Sequence, residues 1–264
     1  MAPRGYACAA AATLLLGVAA AACSTVAPTA TTTTTTLCHS QAAPVSGGAY
    51  WVNNNEWASS AAQCITTDGN ARFTVTHSAI DNRANSAPGG YPFIYKGCHW
   101  GACTARSGLP IQVSRIRPGT VTTSWHTTQP GGSSIYNAAY DIWFNRTPAT
   151  SGRPDGAELM VWLVIHGLNH PAGVVVASGL VVGGHRYDVW VIHRARRNTI
   201  TYVMTSPATS VRHLDLAPLV ADAVRRGSIS TSWYLIAVGA GFELWFRGAG
   251  LATNSFSVRM AAGS

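Results

Sequence analysis

Residues 157–165 read AELMVWLVI, and the two faces of this stretch decide what kind of fold the chain adopts. Side chains alternate across a β-strand with period two, so Leu159, Val161, Leu163 and Ile165 share one face while Glu158, Met160 and Trp162 share the other. The first set is a core face. The second joins a carboxylate to a thioether and an indole, which suits a sugar platform better than a solvated surface.

Two distant stretches repeat this pattern. In GAGFELWFRG (239–248), Gly239, Gly241, Glu243 and Trp245 fall on one face, and Phe242, Leu244 and Phe246 on the other. The glycines predict room there for a ligand chain. In YNAAYDIWFN (136–145), Asn137, Ala139, Asp141 and Trp143 line up opposite Ala138, Tyr140, Ile142 and Phe144. The chain has three glutamates, and the third, Glu56 in NNNEWA (53–58), lies off the face of Asn53, Asn55 and Trp57. It reads as surface or structural. A lone strand glutamate is usually a surface charge and a strand tryptophan usually core; the functional reading rests on three separate segments converging.

The rest of the chain agrees with an all-β protein. Charged residues are 11% of its 264 positions, and from Tyr50 onward alternating stretches are bounded by Gly, Pro, Asn and Asp. Strand-like segments cover 71–77, 111–117, 120–126, 136–145, 157–166, 174–183, 186–193, 198–204, 232–246 and 253–260. One helix is predicted in LDLAPLVADAVRRG, where Leu216, Leu219, Val220, Ala223 and Val224 keep helical spacing and Gly227 stops it. It belongs on the back of a sheet.

The net charge of +8 comes almost entirely from scattered arginines. The densest cluster, Arg194, Arg196 and Arg197, is too short for a nucleic-acid stripe, so no nucleic-acid partner is expected. No GxGxxG, P-loop, HExxH or GxSxG motif occurs, which removes support for nucleotide, metalloprotease and serine-hydrolase chemistry. No repeat of 20 to 50 residues points to a propeller or solenoid.

The N-terminus reads as an export leader. Arg4 precedes an apolar run to Ala22, too short and alanine-rich to span a bilayer, giving a signal peptide at 1–22. Ala20-Ala21-Ala22 permits ordinary cleavage, while small residues directly before Cys23 also fit a lipidation site, so membrane contact is expected only through Cys23. Residues 23–36 form a Thr-rich tether, and 37–264 the functional domain. Beyond Cys23, Cys38, Cys64, Cys98 and Cys103 argue for two disulfides in a secreted protein. Three pairings exist; the short CHWGAC spacing favours Cys98 with Cys103, leaving Cys38 with Cys64. No paired CxxC units support a metal site.

At these residues the sequence resembles glycoside hydrolase family 12, the endoglucanases, from about Cys38 to Met260. YWVNNNEW (50–57) is similar to the family's opening strand, FIYKGCHWGAC (93–103) to the stretch with its short disulfide, and YNAAYDIWF with AELMVWL to its signature strands. GFELWFRGAGLATNSFSV (241–258) resembles its acid/base segment. Ala58 and Leu244 depart from the usual Gly and Pro, which leaves subsite shape open.

The resemblance implies a concanavalin-like β-jelly roll: two curved antiparallel sheets packed as a sandwich, with a concave substrate cleft. It implies that Glu158 is a nucleophile, Glu243 an acid/base, and Asp141 a hydrogen-bond partner of the nucleophile. Asn55 and Trp57 would serve one subsite, Asn137, Met160 and Trp162 the central ones. Residues 168–176 resemble a cord over the cleft. The expected enzyme is a monomeric retaining endo-β-1,4-glucanase without cofactor, acting on a β-glucan polysaccharide. The rivals are a noncatalytic carbohydrate-binding domain, which needs the aromatics but not paired glutamates, and a xyloglucanase or xylanase on the same fold.

Overall fold

A computed structural model of the chain describes residues 34–167 and 170–261. The predicted signal peptide, Cys23 and most of the tether lie outside the described residues. The strands run β1 (Thr35–Cys38), β2 (Ala42–Val45), β3 (Tyr50–Asn53), β4 (Gln63–Thr67), β5 (Phe73–Ser78) and β6 (Phe93–His99). They continue as β7 (Ala102–Cys103), β8 (Ile111–Gln112), β9 (Val121–Thr128), β10 (Ile135–Asn145), β11 (Ala157–His166) and β12 (Val174–Val182). After β13 (His185–Ile192), β14 (Asn198–Met204) and β15 (Ser210–Asp215) comes the helix α1 (Leu216–Arg225), then β16 (Tyr234–Phe246) and β17 (Ala252–Met260).

Two sheets result. The smaller has the order β1-β4-β5-β17-β9-β15, and the larger β12-β13-β14-β11-β10-β16-β6-β3-β2, with β7 paired to β6 and β8 to β16. The period-two faces hold. Ala138, Tyr140, Ile142 and Phe144, with Leu159, Val161, Leu163, Phe242 and Leu244, join Val75, Trp125 and Phe256 of the smaller sheet in one core. Trp125 centres this layer: its ring meets Tyr140 at 5.3 Å and Phe242 at 5.5 Å between centroids, and its indole N–H donates to Thr253 Oγ1 at 3.0 Å.

The helix forms as predicted. Asp215 caps it by accepting the Ala217 N–H at 3.0 Å, Pro218 sits in the first turn where a missing N–H costs nothing, and Gly227 follows at φ 72°. Tyr202 of β14 donates to Asp222 at 2.9 Å, so the helix backs the larger sheet.

Several details differ from the sequence reading. Thr35 and Thr36, assigned to the tether by composition, begin β1 and pair with Thr67 and Thr66. Threonine tracts look like linkers, yet threonine is also a good strand former once a partner is available. Segment 111–117 is strand only over Ile111–Gln112, followed by a 3-10 turn at Val113–Arg115. One junction departs from the antiparallel pattern: β11 and β14 run parallel. With β12 and β13 stacked antiparallel beyond β14, β12 runs in the direction of β11. Leu168 and Asn169, the first two residues of the predicted cord, lie outside the described residues. Val174–Val176, predicted within the cord, belong to β12.

Both disulfides pair as the spacing favoured, Cys38 with Cys64 and Cys98 with Cys103. The first staples β1 to β4. Among the described residues no helix is long and apolar enough to cross a membrane.

Candidate active site

The strands β11, β10 and β16 are neighbours, and their outer face gathers most of the predicted site. Along β10, Asn137 lies opposite Glu243, Asp141 opposite both Met160 and Gly239, and Trp143 opposite Glu158. Asp141 thus stands between the glutamates along the strand. Register breaks at Ile135/Tyr136, Ala138/Ala139 and Trp143/Phe144 mark bulges, which bend a strand and re-aim its side chains.

Glu243 is clamped by Asn137, which is fully buried. The amide Nδ2 donates to Glu243 Oε2, and Asn137 Oδ1 accepts the Glu243 backbone N–H at 3.2 Å. Burial pushes the Glu243 carboxyl up to about 8; the Asn137 bond pulls it down and the Glu158 charge pushes it further up. At neutral pH it holds its proton.

Glu158 has cationic company. Thr199 Oγ1 donates to its Oε2 at 3.3 Å, and Arg197 Nη2 lies 3.5 Å from the same oxygen. Burial raises this carboxyl too, but Arg197, Thr199, Arg194 and Arg153 all oppose the rise. Arg197 is itself fixed, its guanidinium lying 4.8 Å from the Trp143 ring centroid. Asp141 is 5% exposed, its Oδ1 has no hydrogen-bond partner, and burial with the charges of Glu158 and Glu243 holds it well above the usual carboxylate range. Of the two charges, that of Glu158 acts the more strongly on Asp141.

A strap of backbone bonds ties the segment of Asn55 and Trp57 to the edge of β16. Gly89 O accepts from Trp57 N, Tyr91 N donates to Asn55 O, and the same strap bonds Leu244 through Gly89 N and Gly90 O. The strand alternation that grouped Asn53, Asn55 and Trp57 ends at Asn53, because Asn55 turns at φ 44°. Trp57 is 56% exposed, as a sugar-stacking ring would be. Glu56 is structural: its side chain is 5% exposed and lies 3.4 Å from His39.

Met160 and Trp162 are more buried than a platform reading implies. They are 5% and 4% exposed and pack with Ala139, Val203 and Trp245 in a second apolar layer. The indole N–H groups of Trp143 and Trp162 are buried without partners, an arrangement that leaves donors for a bound hydroxyl. The space over the glycines is not free. A Cβ on Gly241 would lie 2.5 Å from Phe93 Cβ and 2.3 Å from Pro92 O, and one on Gly239 3.1 Å from the Phe93 ring. These glycines admit the side chains of β6, not a ligand.

That neighbouring strand supplies residues the sequence reading passed over. Tyr91, Phe93 and Tyr95 stack at 5.0 and 5.2 Å, continuing to His99, Trp100 and Trp143. Tyr91 donates its phenol to Ala139 O at 2.9 Å, and burial with the charges of all three carboxylates pushes its pKa up. The period-two run of aromatics in YPFIY carried that signal. Among the described residues no group of three or more His, Cys, Asp or Glu side chains is placed to hold a metal ion.

Comparisons with known proteins point the same way. The chain is 31% identical over 156 residues to a probable cellulase Cel12b of Mycobacterium tuberculosis, covering 58% of this chain and 98% of that one. Among solved structures, an endoglucanase cel12A from Rhodothermus marinus superposes at TM-score 0.80 with 44% identity, covering 86% of this chain and 99% of the other. A metagenome-derived glycoside hydrolase family 12 endoglucanase superposes at 0.81 with 41% identity, over 87% and 98%. The model of "Glycosyl hydrolase family 12" matches residues 48–261, which include all three carboxylates, and the chain belongs to that family.

Proposed function

We propose that this family 12 hydrolase cuts internal β-1,4-glucosidic bonds of cellulose-like chains by double displacement, with Glu158 as nucleophile and Glu243 as acid and then base. Glu243 donates its proton to the glycosidic oxygen as that bond breaks, while Glu158 attacks the anomeric carbon and forms a glycosyl-enzyme ester. Water then gives a proton to Glu243 and displaces Glu158, restoring both groups. Asp141 acts as a second proton-holding neighbour that keeps the glutamates out of step. No cofactor enters either step.

One observation carries this reading: two glutamates on one face have opposed surroundings, a neutral amide at Glu243 and a guanidinium with a hydroxyl at Glu158. The protein acts outside the cell as a monomer on a β-glucan chain, either released or held through Cys23, and its disulfides suit an oxidising compartment. Release of reducing ends from mixed-linkage glucan and hydroxyethylcellulose tests the activity. A wild-type protein that binds these polymers without shortening them would support the carbohydrate-binding rival.

A further inference from the structure

Beside Glu158 the structure holds a cavity of ≈ 600 Å³ that a neutral glucan does not explain. Its walls are the loop between β10 and β11, with Arg146, Arg153 and Asp155, and the loop between β13 and β14, with Arg194, Arg196 and Arg197. Both loops lie at the end of β11 that carries Glu158, because Ala157 and Glu158 pair with Asn198 and Thr199.

The five guanidinium groups differ in what they already do. Arg146 donates to the backbone oxygens of Asp155 and Ala195 and lies over the Trp233 ring, so it builds the wall. Arg197 serves Glu158 and Trp143. Arg153, Arg194 and Arg196 make no hydrogen bond and no ion pair among the described residues. The lone lining acid, Asp155, accepts the Arg146 backbone N–H at 2.9 Å. Arg153 and Arg194 act on Glu158 only at longer range; with no direct partner, the three cations around one concavity repel each other, and an incoming anion relieves that repulsion. Guanidinium forks also match carboxylate geometry in two-point contacts.

We propose that this cavity is an anion-binding subsite continuous with the catalytic face, and that it selects glucan chains bearing carboxylate substituents near the bond to be cut. The proposal rests on the glucanase reading and names the substrate class it favours. Arg153, Arg194 and Arg196 receive the carboxylate, while Arg146 and Arg197 hold the walls and Glu158.

The test compares carboxymethylcellulose with hydroxyethylcellulose, an anionic and a neutral polymer on one backbone. Two readouts are taken: kcat/KM for chain cleavage, and retardation in gels containing each polymer, which needs no turnover. The wild type is set against Arg153→Gln/Arg194→Gln/Arg196→Gln and against a charge-matched control, Arg115→Gln/Arg117→Gln/Arg259→Gln, altered at exposed sites outside the cavity. Three exposed pairings of ordinary strength predict a preference for the carboxylated polymer of about five- to tenfold, lost in the cavity variant, kept in the control and eroded by salt. Equal preference in all three proteins, or equal loss in both variants, overturns the proposal. If neither polymer is cleaved the glucanase reading fails, and gel retardation still decides the anion site by the same criterion.

Discussion

Glu158 and Glu243 are the same residue type on the same face of the same sheet, on strands either side of β10, and their surroundings push them apart. Around Glu243 the direct contact is a buried amide, with the Tyr91 phenol acting at longer range, so burial dominates and the proton stays on to about 8. Around Glu158 the burial is countered by Arg197 at 3.5 Å, by the Thr199 hydroxyl, and by the more distant Arg194 and Arg153. The comparison teaches that position on the sheet makes the pair and that neighbours assign the roles. An acid is a carboxyl that burial keeps neutral; a nucleophile is one whose charge has been provided for.

Removing either glutamate breaks the comparison outright. Glu158→Gln is expected to lower kcat by about 10⁴-fold, at the upper end of what positioned acid–base groups contribute, while polymer binding persists. Glu243→Gln should lose as much on polymer but far less on an aryl glycoside, whose leaving group needs no proton. Steady-state kinetics on both substrates measures this. Equal losses on the two would place the acid elsewhere.

Exchanging the neighbours sharpens it. Arg197→Met removes the cation that keeps the Glu158 carboxyl from rising further, so the acidic limb of the kcat/KM profile should move to higher pH, with severalfold greater loss at pH 5 than at pH 7. An unmoved acidic limb would separate Arg197 from the nucleophile. Asn137→Ala removes the bond that lowers the Glu243 pKa, so the alkaline limb, expected near 8, should move upward as the rate falls. A shift to lower pH would show that Asn137 favours the neutral acid instead.

The smallest effect is on stability. In the native state Glu243 keeps its proton to about 8, against 4.5 for an unperturbed glutamate. Between those values the folded chain binds more protons than the unfolded one, so this group's contribution falls as pH rises through the window. Glu243→Gln should therefore raise Tm, and raise it more at pH 9 than at pH 5, as calorimetry at the two values would read. An enzyme stabilised by losing its acid fits the trade between activity and stability at strained sites.

Much of this was legible in the sequence because period two sorts a strand with an unmistakable core face. Leu159, Val161 and Leu163 fixed where Glu158 points, and Phe242 and Leu244 did the same for Glu243. What was not legible depends on which strands become neighbours. Arg197 looked like one of several scattered charges until β14 was seated parallel to β11, which sets Thr199 against Glu158. Gly239 and Gly241 were misread for the same reason: whether the space over a glycine is open is decided by the next strand, here β6 with Phe93. Trp162 and Met160 share the face of Glu158 yet are almost fully buried, since alternation reports a side and not an exposure.

The most direct measurement is to trap the reaction with a 2-deoxy-2-fluoro cellobioside carrying a good leaving group, then map the modified peptide by mass spectrometry. Double displacement through Glu158 predicts one sugar per protein, attached to the Glu158 side chain, with activity lost in proportion. A label on Glu243, on Asp141 or on any other residue would contradict it.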